Sequence, residues 1–190
     1  MKTISAFAFF KDSNYTLLAF FLFMSLCGFI TGTRIWVCTD FSSCNFCTVT
    51  AHDFYSMLLY IILPSALVFL LMLFLSFFAI WWLIQPLFVY LLSSVGGLVV
   101  CSLFSVPVSS VSLLTILSLS LCFICTLFII CLFSVFSYTL SRQLYNAEIT
   151  NGAYIYFCKN SISILFVLLL SDTLFALLIF LQTFLFYQKE

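Results

Sequence analysis

Residues 54 to 141 carry no charged side chain. A stretch of that length without a charge holds three or four membrane helices, since about 20 residues cross one hydrocarbon core. Soluble domains ordinarily carry about 25% charged residues, whereas this chain of 190 residues is 6% charged, 65% hydrophobic and 20% aromatic. Backbone polar groups in lipid must find partners inside the protein, which leaves helices or a closed barrel. Barrel strands alternate apolar and polar residues, and a run such as LVFLLMLFLSFF, residues 67 to 78, has no such alternation. The expectation is an all-α integral membrane protein forming a single transmembrane domain of about five helices. Six basic and six acidic side chains cancel, so no net field attracts nucleic acid. Disorder is excluded as well, because it requires low hydrophobicity.

The few polar breaks divide the chain. A first helix is expected over about 15–33, ending near Gly28, Gly32 and Arg34, and a surface segment over 34–54. A hairpin follows over about 55–105, with Trp81, Trp82 and the Gln85-Pro86 pair marking its reversal, because tryptophans favour interfaces and a residue before proline leaves helical space. Pro107 precedes a long helix over about 109–147, and the Asn151-Gly152 turn precedes another over about 154–188. Thirty-five helical residues measure roughly 50 Å against a core of about 30 Å, so both long helices are expected to tilt strongly. Lys2 and Lys11 before an apolar stretch also fit a signal peptide; a retained first helix is the reading taken. No arginine precedes Arg34 and Asp12 is present, unlike an imported mitochondrial presequence. The 26 phenylalanines, with the Leu, Ile, Val, Ser and Cys of thymine-rich codons, point to synthesis inside an organelle.

Ionisable residues in the apolar regions are the functional candidates. Arg142 ends a long apolar run, and a guanidinium at bilayer depth costs about 2.5–3.5 kcal/mol on insertion scales. It either faces an acidic partner on an ion or proton path or snorkels to the surface from a helix end. Asn146 lies four residues on, on the same helical face. Asp172 sits in LLLSDTLFALL, where an acid needs water or a cation. Glu148 and Lys159 complete the charged set of this region. Cys38, Cys44, Cys47 and His52 supply ligand types suited to tetrahedral zinc, although the same thiols suit disulfides in an oxidising space. Cys122 and Cys125 read as packing residues, as do Ser105 and Ser109. With one histidine there is no Ser/His/Asp triad and no paired-histidine haem site, and no glycine loop for phosphate occurs. No cofactor is expected.

Two patches carry a family resemblance. Arg142 to Asn146, R-Q-L-Y-N, is similar to an R-x-x-x-N motif in subunit a of the F-type ATP synthase, and Leu181 to Phe186, L-Q-T-F-L-F, resembles an L-Q-aromatic-x-F patch in that family's last helix. The helix order also resembles the family's: one helix, a surface segment, a hairpin and two long helices. The resemblance implies a proton-translocating stator in the mitochondrial inner membrane that passes protons through two half-channels to a ring of c subunits. Arg142 would confront the ring's carboxylate. Asn146, Glu148, Asp172 and Gln182, with Tyr154 and Tyr156, would line the proton paths. Partners would be the c-ring, other membrane subunits of the synthase and lipid, and the chain would bind no nucleotide. The sequence departs from the pattern after Asn146, where A-E-I-T-N-G follows, and at Phe175, which stands where the family has a second polar group. Two other classes remain open: a non-transporting hydrophobic subunit of another respiratory complex, of the Complex I type, and a receptor-like or viral protein with disulfides in 34–54.

Overall fold

A computed structural model describes residues 12–38, 54–105, 113–146 and 151–187. They form five helices: α1 (Asp12–Cys38), α2 (Phe54–Leu75), α3 (Trp81–Ser105), α4 (Leu113–Tyr145) and α5 (Asn151–Tyr187), with no strand among the described residues. Tyr15–Ile35, Trp81–Ser102, Leu113–Tyr145 and Tyr154–Gln182 are each long and apolar enough to cross a membrane, and α2 adds a shorter apolar stretch, Ile61–Leu75. The chain is an all-α, multi-pass membrane protein. α4 and α5, at 33 and 37 residues, outrun a hydrocarbon core of about 30 Å, and tilting is the usual accommodation.

Three boundaries differ from the sequence expectation. α1 runs on through Arg34 to Cys38, because Ile35, Trp36 and Val37 keep the segment apolar while an arginine's long stem carries its charge away from the helix axis. Residues 34–38 thus belong to α1 and not to the expected surface segment. The α2–α3 reversal falls at Ser76–Ile80, closed by short-range bonds such as Phe78 N to Leu75 O (3.0 Å) and Trp81 N to Phe78 O (3.1 Å). The Gln85-Pro86 pair therefore lies inside α3, and Pro64 lies inside α2. Each proline removes one helical hydrogen bond, and membrane helices tolerate this where neighbouring groups satisfy the freed carbonyl. α5 starts at Asn151 itself, three residues before the expected start.

Contacts fix the directions. Gly28 meets Tyr90 and Gly32 meets Ser94, so α1 and α3 run parallel. Gln85 meets Ser134 while Gly96 meets Phe123, so α3 and α4 run antiparallel. Ser118 meets Gln182 while Phe133 meets Phe157, making α4 and α5 antiparallel too. The α1–α3 contact depends on missing side chains: a Cβ on Gly32 would lie 1.9 Å from the Ser94 carbonyl oxygen, and one on Gly97 2.3 Å from that of Phe29. Such close backbone approach is how helices associate in lipid, where apolar burial gives little drive.

The bundle is oily outside and gathers its polar side chains inside, among apolar ones. Leu67, Leu70, Phe74, Ile162, Phe166 and Leu174 are exposed, whereas Ser65, Ser76, Gln85, Ser134, Ser137, Ser141 and Asp172 are buried. A central apolar block of Phe69, Met72, Ile129, Ile130, Phe133 and Leu168 packs among them. In a lipid solvent this distribution is the stable one, because exposed hydrocarbon costs nothing and polar groups must pair internally.

Candidate functional site

Asp172 is 1% exposed, enclosed where α2, α4 and α5 meet. It falls near the middle of the Tyr154–Gln182 span, and its partners Ser65 and Thr126 fall near the middles of α2 and α4. The carboxyl thus sits deep in the apolar zone. The Ser65 hydroxyl donates to Asp172 Oδ2, and Thr126 Oγ1 lies 3.2 Å from Asp172 Oδ1. Both hydroxyls also have backbone alternatives on their own helices. Ser65 Oγ is 3.0 Å from the Ile62 carbonyl oxygen, and Thr126 Oγ1 is 3.0 Å from that of Cys122.

No cation among the described residues meets this acid. Arg142 lies 16 residues beyond Thr126 on α4, and Lys159 lies 13 residues before Asp172 on α5; at 1.5 Å per residue these are about 24 Å and about 20 Å along the helices. Cys122, four residues before Thr126, puts a thiol on the same face of α4. An ionised carboxylate in apolar surroundings without a cation is so costly that such a group stays neutral instead.

Polar groups continue from Asp172 in one direction only. Ser118, Cys122 and Thr126 recur every four residues on α4 and therefore share a face. At the far end of that edge, Gln182 Nε2 donates to Ser118 Oγ at 3.0 Å. In the other direction stands the apolar block, where the Phe69 and Phe133 rings lie with centroids 4.3 Å apart. Beyond the block a second polar group ties the α2–α3 turn to α4. Ser76 and Ser137 share a hydroxyl–hydroxyl bond, Trp81 Nε1 donates to Ser137 Oγ at 2.9 Å, and Ser141 Oγ donates to the Phe78 carbonyl at 2.6 Å. Gln85 belongs to this group: its Nε2 donates to the Ser134 carbonyl at 2.9 Å, while its buried Oε1 has no hydrogen-bond partner among the described residues.

Arg142 and Asn146 are exposed at the end of α4 beside the α2–α3 turn, where the Asn146 amide donates to the Arg142 carbonyl. Trp82 packs edge-on against Tyr138 and Tyr145 there, and Tyr154 stacks on Phe77. Tyr156 is half-buried on the same end of α5. Gln182 is elsewhere: its partner Ser118 is 24 residues from Arg142, about 36 Å along α4. The five expected site residues therefore do not form one constellation. Arg142 and Asn146 share an end, Asp172 is central, Gln182 is towards the opposite end, and Glu148 lies outside the described residues. Cys44, Cys47 and His52, and the side chain of Cys38, also lie outside them; among the described residues no cluster of metal-ligating side chains occurs.

Sequence reasoning missed Ser65, Thr126 and Gln85. The hydroxyl spacing on α4, with Ser118 and Thr126 before its apolar block and Ser134, Ser137 and Ser141 after it, was the available signal on that helix, since inward polar groups in membrane helices recur at three and four residues. Comparison with known protein families, with curated proteins and with solved structures finds no match. Fold and site alone define the class: a helical membrane protein with a carboxyl enclosed at its centre and a guanidinium at one end.

Proposed function

We propose that this chain is a proton-handling subunit of a membrane complex, of the kind represented by subunit a of the F-type ATP synthase, in the mitochondrial inner membrane. The observation that carries the reading is Asp172, since an intramembrane acid that meets no cation among the described residues is a group able to take up and release a proton. Its one-sided run of polar neighbours, through Thr126 and Ser118 to Gln182, supports proton access from one membrane face. The exposure of Arg142 supports its having a partner on another protein. There it would lower the proton affinity of a ring carboxylate arriving from lipid, so that the ring discharges its proton beside the stator. Each elementary charge crossing the membrane yields about 2.3 kcal/mol per 100 mV for rotation. The test is the native complex: co-purification with a ring of c subunits, and loss of coupled synthesis with assembly retained in R142A. Normal coupling in that variant contradicts the reading.

A second reading has its own support. Arg142 lies in the last turn of α4 beside Trp82, Tyr138 and Tyr145, and interfacial aromatic residues with a snorkelling arginine anchor a helix end without any acidic partner. On that reading the chain is a structural subunit of another respiratory complex, and its native complex contains quinone-reductase subunits and no c-ring.

A further inference from the structure

The hydrogen-bonding inventory around Asp172 separates its two protonation states. Without a proton, the carboxylate takes the hydrogens of both Ser65 and Thr126, gains no counter-charge, and withdraws those hydrogens from the carbonyls of Ile62 and Cys122. With a proton, the carboxyl O–H donates to Ser65 Oγ and the Ser65 hydrogen turns to the Ile62 carbonyl at 3.0 Å. Thr126 still donates, either to the second carboxyl oxygen at 3.2 Å or to Cys122 at 3.0 Å. With Thr126 donating to the second carboxyl oxygen, the neutral acid has both its oxygens and both hydroxyls bonded, and the Ser65 hydrogen records whether the proton is present.

Ser65 follows directly on Pro64, which lies inside α2. Proline has no N–H, so the Tyr60 carbonyl loses its helical donor. In this stretch the Ser65 hydroxyl adds a bond back to Ile62, and Ile61 lies 3.4 Å away as a weaker alternative. Loss of the proton takes that hydrogen from the Ile62 carbonyl, two residues along the helix from the Tyr60 carbonyl that Pro64 leaves without a donor.

We infer that Asp172, Ser65 and Thr126 form a proton-binding site at the centre of the bundle, and that its emptying is passed through Ser65 to α2 at Pro64. Direct contact between carboxyl and hydroxyl oxygens favours a proton over a metal cation, which would have to part them. The groups bonded to the carboxyl are Ser65 from α2 and Thr126 from α4, with the Cys122 thiol one turn from Thr126 on the same face of α4; neither α2 nor the described part of α4 before Arg142 carries a charged residue. The inference rests on the proton-handling reading but not on which complex contains the chain.

The test uses the intact complex in lipid nanodiscs. Infrared difference spectra across pH are expected to show a neutral-carboxyl band that is lost in D172N and shifted in S65A. Hydrogen exchange of the amides around Ile62 to Ala66, corrected for intrinsic rates, is expected to speed up as the carboxyl band disappears. That dependence is expected to vanish in S65A. Absence of the neutral-carboxyl band in the unmodified protein overturns the inference even if a variant fails to assemble. So does displacement of the band by sodium at constant pH, or exchange in α2 that ignores the band. Absence of a c-ring, with the band and the exchange as expected, removes the ATP synthase assignment and leaves this site standing.

Discussion

Asp172 and Arg142 are both ionisable groups in long apolar helices, and the bundle treats them in opposite ways. The acid lies near the middle of its span, walled in by three helices and held by two hydroxyls. The guanidinium lies in a last turn, exposed, among rings that suit an interface. The difference follows from the cost of charge against depth. A group near a helix end keeps its charge by reaching water, while one at the centre keeps its place by giving the charge up or by pairing. On the proposed reading, the central residue is thus the one whose protonation the fold controls, and the terminal residue is the one placed to act on a neighbour.

The largest break in this comparison comes from the apolar block separating the two regions. F133A removes a fully buried ring that packs on Phe69 and Phe157; the expected loss is about 3–5 kcal/mol of stability. Water entering that space is also expected to raise passive proton leak, measured as dye quenching in vesicles. An unchanged leak would mean that the block is not the seal. A smaller effect sharpens the central side: S118A takes the partner from Gln182 and is expected to cost about 1 kcal/mol, with slower proton delivery at saturating driving force. The smallest concerns the end region. R142A is expected to shift thermal unfolding by no more than about 0.5 kcal/mol, because the side chain is exposed, even where it abolishes coupling. A large loss of stability there would show that the two regions are not treated differently.

Much of the fold was legible because residues 54–141 lack charge and lipid permits few solutions for such a segment. The prolines were less so. Pro86 reads as a breaker by the rules of soluble helices, and it sits inside α3, since a membrane helix surrounded by neighbours survives a missing bond. Asp172 stood out from its oily context, but Ser65 did not, because no periodicity states which face of α2 meets α5. The separation of Arg142 from Gln182 was in fact readable: a helical hairpin turning near Asn146 to Asn151 places Gln182 opposite a residue close to Ser118, as observed.

Proton flux through the native complex reconstituted in vesicles, compared between the unmodified protein and D172N, addresses the role of the central acid most directly. The account predicts that the substitution, which keeps the size and hydrogen-bonding shape of the side chain but cannot release a proton, abolishes flux while the complex still assembles. Undiminished flux in an assembled D172N complex would contradict it.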